Sequence, residues 1–332
     1  MKPGGNIDLS LVIPCYNEGE VLPLLQAKLT NCLDGLGITW EVIFVDDGSL
    51  DTTYRQLERL HQVEPRFKAI SLSRNFGHQA AICAGLSHAA GNAVGIMDAD
   101  LQDPPEILAA CLAKLQQGFD VVYAVRQKRK ENILMRAAYA VFYRLLRSVA
   151  EAEIPLDSGD FCVMSRRVVA VLVQMQERNP FVRGLRAWTG FRQTGLEYER
   201  QARAAGQTKY PLAKLVRLAA DGVFAFSTVP LRAATYLGLG ALVFSVMAGL
   251  FILAWRIFGF RFMGHTASEL PGWTALVGGM FFLSGIQFLI LGCMGEYMGR
   301  IYTEVKQRPR WIVREALGLL GENCGGSPRS GQ

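Results

Sequence analysis

The sequence is short of the residues on which several enzyme classes depend. Its 332 residues include four histidines, none paired at metal-ligand spacing, and nothing has the form of a Ser-His-Asp arrangement; zinc and serine hydrolases are disfavoured. Seven cysteines (Cys15, Cys32, Cys83, Cys111, Cys162, Cys293 and Cys324) are odd in number and contain no C-x-x-C pair. A disulfide framework or zinc module is therefore not expected, and a reducing compartment is. No G-x-G-x-x-G follows the first strand and no G-x-x-x-x-G-K-[ST] occurs, which argues against a dinucleotide enzyme or a P-loop ATPase. Charge is also sparse, at 19% of residues against 50% apolar, with a mean hydropathy of +0.18. That balance excludes a disordered chain and is oily for a wholly soluble enzyme. The 35 basic and 29 acidic residues leave a net charge of +6, which suits an anionic membrane surface at least as well as nucleic acid.

The apolar excess is concentrated in two uncharged runs, Ala233 to Trp255 and Trp273 to Met294. At a rise of roughly 1.5 Å per residue each covers a hydrocarbon core of about 30 Å, so both read as transmembrane helices of one hairpin. Trp255 and Trp273 flank the connecting loop as interfacial aromatics do. Lys209, Lys214, Arg217 and Arg232 precede the pair, and Arg300, Lys306, Arg308, Arg310 and Arg314 follow it, whereas the loop offers Arg256 and Arg261. The positive-inside rule then expects both termini in the cytoplasm. Leu9 to Ile13 is too short for a signal-peptide core, and Pro14 ends it. Small-xxx-small spacings at Ser245/Gly249 and Gly295/Gly299 permit close helix packing and a homo-oligomer. The expected organisation is a cytosolic domain over residues 1–228, a hairpin over 229–299 with spans 233–255 and 273–294, and a basic cytoplasmic tail over 300–332. Residues 133–149 set Ile133, Leu134, Val141, Phe142, Leu145, Leu146 and Val149 among Arg136, Arg144 and Arg147, the pattern of a basic amphipathic helix lying on a membrane. A second interfacial segment is placed at 211–227.

Before the hairpin, short β-rich runs (9–13, 41–45, 68–72, 93–97 and 121–125) alternate with stretches of helical periodicity (20–36, 52–62, 79–90 and 105–117). This is the pattern of an α/β domain with an open, mostly parallel sheet covered by helices on both faces. Ligands of such sheets bind beyond the carboxyl ends of the strands. Those ends carry Pro14-Cys15-Tyr16-Asn17-Glu18, Asp46-Asp47-Gly48-Ser49 and Asp98-Ala99-Asp100-Leu101-Gln102-Asp103. Carboxylates gathered on one edge call for a cation or a basic partner. Alternate residues leaving a strand can aim Asp98 and Asp100 the same way, and hard oxygen ligands suit Mg²⁺ or Mn²⁺ shared with a diphosphate. Asp103, before Pro104-Pro105, reads as a helix cap or Asx turn, and Asp46 to Ser49 can equally be turn chemistry.

These motifs together resemble glycosyltransferase family 2, and more narrowly its polyprenyl-phosphate branch, from Pro14 to about Arg314. The resemblance implies a GT-A fold, a Rossmann-like nucleotide-sugar-binding sheet. By resemblance, Pro14, Tyr16 and Glu18 contact the nucleotide base and ribose, with Val45 and Asp47 as the second base-side contact. Asp98 and Asp100, with Ala99 between them, correspond to the metal and diphosphate ligands, and Gln102 to a third residue of the metal shell. Arg126 corresponds to an arginine near the sugar and acceptor phosphates, and Arg136 to a second on the acceptor side. Arg203-Ala204-Ala205-Gly206-Gln207-Thr208-Lys209-Tyr210 is similar to the family's R-x-x-G-x-S-K-Y loop, whose Arg203 and Lys209 would close on the diphosphate. Asp157-Ser158-Gly159-Asp160-Phe161 is similar to a run that supplies a catalytic base, as either Asp157 or Asp160.

Gln307-Arg308-Pro309-Arg310-Trp311 matches the Q-x-x-R-W signature of processive polysaccharide synthases. Its place after both spans and its basic flank instead read as a juxtamembrane segment with an interfacial Trp. The implied activity is inverting transfer of a sugar from a nucleoside diphosphate donor, UDP-glucose ahead of mannosyl, N-acetylhexosaminyl or aminoarabinosyl donors, to a membrane polyprenyl phosphate such as undecaprenyl phosphate. The expected partners are that lipid and donor, with no nucleic acid, at the plasma membrane. A non-catalytic nucleotide-sugar-binding protein is the alternative of another class.

Overall fold

A computed structural model describes residues 7–126, 158–175, 177, 180–198, 229–259 and 272–319. The chain divides into two units, one built on a sheet and the other on a pair of long helices.

In the first unit the strands are β1 (Leu9–Cys15), β2 (Trp40–Asp46), β3 (Phe67–Leu72), β4 (Ala93–Ile96), β5 (Val121–Arg126), β6 (Ser158–Ser165), β7 (Gln193–Tyr198) and β8 (Val313–Leu317). They form one eight-stranded sheet in the order β7-β5-β6-β4-β1-β2-β3-β8. The pairs β1/β2, β1/β4, β2/β3 and β5/β7 are parallel, while β6 runs antiparallel to both β4 and β5, and β8 antiparallel to β3.

Alternation along the strands sends residues to two cores. Leu9, Leu11 and Ile13 of β1 with Val42 and Phe44 of β2 pack under α1 (Leu22–Gly35), α2 (Thr53–Val63) and α4 (Ile107–Gln116). Val12, Ile43 and Val45 point the other way, under α3 (His78–His88), α5 (Arg166–Gln174) and α6 (Val182–Trp188). Strands covered on both faces are largely apolar on both, and β1 and β2 are buried at every position, the polar Ser10, Glu41 and Asp46 included. The five strands and four helices expected before residue 118 or at 121–125 are all present, with ends displaced by at most two residues.

Three strands lie outside the sequence expectation. Gln193–Tyr198 is half-buried and mixed in polarity, and Ser158–Ser165 reads first as a motif. Val313–Leu317, with the exposed run Arg314, Glu315 and Ala316, has no apolar alternation to announce a strand.

The last of these lies within the stretch 300–332 expected as a tail, of which residues 308–319 belong to the sheet unit. Arg310 Nη1 donates to the Met175 carbonyl at 2.7 Å, Ser73 N–H donates to the Ile312 carbonyl at 2.9 Å, and Trp311 packs on the second core. Trp311 is thus a packing residue of the sheet unit, because β8 pairs with β3 and carries the preceding residues onto the domain.

The second unit contains α7 (Val229–Phe258) and α8 (Gly272–Val305). Each contains a stretch long and apolar enough to cross a membrane, Ala234–Phe258 and Gly279–Val305. The second reaches past the uncharged run, because helical periodicity continues through Glu296 and Glu304. The proposed interfacial segments 133–149 and 211–227 lie outside the described residues.

Candidate active site

The first two strand-end loops are stitched together by hydrogen bonds. Asn17, in the left-handed region at φ 55, donates its N–H to Ser49 Oγ and accepts the N–H of Leu50, each at 2.9 Å. Glu18 N–H donates to Thr53 Oγ1 at 2.9 Å and Gly19 N–H to Asp51 Oδ2 at 3.2 Å. This leaves Tyr16 44% exposed, with an aromatic ring able to stack on a flat ligand. Pro14 and Val45 are buried, so they border the site through backbone rather than side chain.

The Asp46-Asp47 pair turns out to be largely spent within the fold. Asp46 accepts Ser49 N–H at 3.0 Å and the Ser71 hydroxyl at 2.9 Å, and Arg314 Nη2 donates to that same Ser71 Oγ at 2.9 Å. Asp47 accepts the N–H groups of Phe76 at 2.7 Å and Gly77 at 2.9 Å, one on each oxygen. Burial pushes the Asp47 carboxyl up, against the pull of these two donors. Gly48, next in the chain, sits at φ +68, and a Cβ there would lie 2.4 Å from the Arg74 carbonyl carbon. The β3–α3 loop is therefore laid directly over this glycine, which no side-chain-bearing residue could permit.

The β4 end is different. Oδ1 of Asp98 and Oε1 of Gln102 are buried acceptors without a hydrogen-bond partner. Asp100 Oδ1 accepts the N–H of Gln102 at 3.2 Å, and Ala99 is buried. Burial, together with the charges of Asp160, Asp103 and Asp100, raises the Asp98 carboxyl to about 6 in spite of His78. Asp103 is not a cap: the position before α4 is Glu106, and Asp103 instead accepts the phenolic hydroxyl of Tyr198.

Asp160 meets Asp98 through strand register. Antiparallel pairing matches Ile96 with Cys162, so residues two positions on, Asp98 and Asp160, come to face each other. Gln79 Nε2 donates to Asp160 Oδ2 at 3.2 Å and Arg183 Nη2 to Oδ1 at 3.3 Å, while His78 Nε2 lies 3.5 Å from both Asp98 Oδ1 and Asp160 Oδ2. Burial would push the Asp160 carboxyl up, but His78 and Arg183 outweigh it and pull it down to about 2.

His78, Gln79 and Arg183 were not among the expected site residues. The sequence signal for the first two is their place after β3, where the strand-end rule applies as it does after β1, β2 and β4. Arg126 ends β5 opposite Tyr198 in the parallel register. Asp157, Arg136, Arg203 and Lys209 lie outside the described residues.

A largely parallel sheet with an antiparallel strand beside an acidic β4 end defines a GT-A domain, and the chain belongs to glycosyltransferase family 2. The family, described as Glycosyl transferase family 2, matches residues 10–172. The uncharacterized glycosyltransferase YkcC of Bacillus subtilis is 43% identical over 315 residues, 95% of each chain. The SfII prophage-derived bactoprenol glucosyl transferase of Shigella flexneri is 37% identical over 309 residues, 93% of this chain and 98% of that one. Among solved structures, Staphylococcus aureus TarS with UDP-GlcNAc aligns over 66% of this chain and 67% of that one, at 18% identity and a TM-score of 0.44.

Proposed function

We propose that the protein transfers glucose from UDP-glucose to the phosphate of a membrane polyprenol, inverting the anomeric carbon. The observation that carries this reading is the near full-length likeness to a bactoprenol glucosyl transferase, extending through the apolar pair, in a chain whose β4 end offers buried carboxylate and amide oxygens that accept no hydrogen bond.

Those oxygens fit a divalent cation. Asp98, Asp100 and Gln102 supply hard donors suited to Mg²⁺ or Mn²⁺. Among the described residues no three His, Cys, Asp or Glu side chains form a metal cage of their own, so the rest of the shell would come from phosphate oxygens and water. Bound there, the ion would neutralise charge on the departing diphosphate. Tyr16 would stack on the base, Glu18 would reach the ribose, and Asp47 would serve mainly by holding the Phe76–Gly77 turn. Arg126, Arg203 and Lys209 are assigned to the phosphates, and Arg136 to the acceptor.

In the reaction an oxygen of the acceptor phosphate attacks the anomeric carbon. The bond from that carbon to the β-phosphate oxygen breaks, and UDP leaves with the electron pair. A phosphate monoester with a second pKa near 6, by analogy with other monoesters, is already largely dianionic at pH 7, so no strong base is needed. The difficulty is electrostatic, two anions brought together, and fixed positive groups answer it by orientation and charge stabilisation.

The membrane position has a topological argument. The chain enters the helix pair from the sheet unit and returns to that unit as β8, so if both helices cross a membrane their two flanks share one side of it. The basic flanks assign that side to the cytoplasm.

A panel of labelled UDP- and GDP-sugars, incubated with undecaprenyl phosphate and membranes containing the protein, tests the reading. UDP-glucose is expected to give a lipid-linked product. UDP binding without lipid-linked product from any donor would leave a non-catalytic nucleotide-sugar-binding protein instead.

A further inference from the structure

Two carboxylates that face each other across adjacent strands repel, and one side chain stands between Asp98 and Asp160. His78 Nε2 lies 3.5 Å from an oxygen of each. Its backbone is fixed from two sides. Gly77 before it adopts φ +100, and Asp47 grips the N–H groups of Phe76 and Gly77. The imidazole is 46% exposed and belongs to neither core, whose first α3 residue is Ala81. It is therefore not there to fill space.

Asp160 is held equally firmly on its other sides. Gln79 donates to it and, through Oε1, accepts the Val182 N–H at 2.9 Å, so α3 and α6 are joined at this carboxylate. Arg183, one residue on, takes the second oxygen.

We propose that His78 is a positioning residue of the transfer site, holding Asp98 at the diphosphate end and Asp160 on the neighbouring strand at a fixed separation. In this arrangement Asp160, fastened by three side chains from two helices, is a fixed anion of the framework rather than the group that takes up a proton. The inference rests on the reading that Asp98 serves the nucleotide-sugar end. Displacing a ligand-bearing group by about 1 Å costs on the order of 100-fold in rate, and loss of an outer partner of a metal ligand costs roughly 10- to 100-fold in metal affinity. His78 is placed to control both.

The test uses the full-length protein in detergent, as wild type, His78→Ala and His78→Gln, the last able to donate a hydrogen bond from the same position. UDP binding is measured by calorimetry with and without Mn²⁺, and kcat and KM with UDP-glucose and undecaprenyl phosphate. For His78→Ala the expected result is metal-free UDP affinity within about twofold of wild type and a Mn²⁺ enhancement reduced about tenfold. Its kcat should fall about 10- to 100-fold with the donor KM within about threefold. His78→Gln should recover more than threefold of each loss.

Three results would overturn the inference: His78→Ala within threefold of wild type in both readouts, His78→Gln no better than His78→Ala, or metal-free UDP affinity falling in step with the rest. A wild-type protein that binds UDP but forms no lipid-linked sugar would defeat the functional reading alone, and the calorimetric comparison would still decide this one.

Discussion

The hydroxyl of Tyr198, the last residue of β7, donates to the carboxylate of Asp103, which is 1% exposed. The Tyr198 ring also meets Phe161 of β6 edge-on, with centroids 6.3 Å apart. One side chain thus ties the end of β7 to the acidic segment after β4. A buried carboxylate deprived of a donor costs about 1–3 kcal/mol. Tyr198→Phe keeps the ring and removes the donor, so a loss of that size is expected in denaturant unfolding. Unchanged stability would show that the bond contributes nothing net.

Gly48→Ala should destabilise the sheet unit by about 2–4 kcal/mol, through a left-handed backbone and a Cβ driven into the Arg74–Asn75 peptide. UDP affinity should fall with it, because the same loop is held by Asp47. A variant with wild-type melting and wild-type UDP binding would contradict the placement of that loop.

Asp160→Asn tests the electrostatics around α3. The folded-state carboxyl lies at about 2, below its ordinary value of 3.8. Its contribution to stability is therefore fully present above the ordinary value and is lost as pH falls through about 2. Asp160→Asn should melt below wild type at pH 7, and the gap should narrow at pH 3. A gap that widens toward acid would reverse the assigned sign.

Asp100→Asn should lower turnover by orders of magnitude while circular dichroism and melting stay near wild type, since Asp100 belongs to neither core. Near-normal turnover of this variant at saturating Mg²⁺ or Mn²⁺ would remove Asp100 from the site.

Cys15, Cys83, Cys111 and Cys162 are buried. Burial pushes Cys83 up to about 11 and Cys111 up to about 12, and raises Cys15 and Cys162 as well. With so little thiolate at pH 8, these four should resist iodoacetamide in the native protein and react after denaturation. Peptide mass spectrometry would check this, with the partly exposed Cys32 as the reactive comparison. Native labelling of any of the four at the rate of Cys32 would count against the packing described.

The amino-acid order by itself determined the local features of this protein. Doubly buried strands are mostly apolar, helices repeat at 3.6 residues, and acidic residues follow strands, so β1 to β5, α1 to α4, the Asp98-Ala99-Asp100 end and two uncharged runs could be read without coordinates. Only the tertiary structure decided what those residues meet. Insertion of antiparallel β6 between β4 and β5 sets Asp160 against Asp98, and α3 and α6 then bring His78, Gln79 and Arg183 to it, although Gln79 and Val182, where the two helices join, are 103 residues apart in the chain. Pairing of β8 with β3 draws Arg310 and Trp311 onto the sheet unit although their own sequence reads as a basic flank. The physical reason is the same in each case. Periodicity and spacing report which face of an element is buried, whereas the partner of a polar side chain depends on which strands become neighbours, and that is fixed by the packing of the whole sheet.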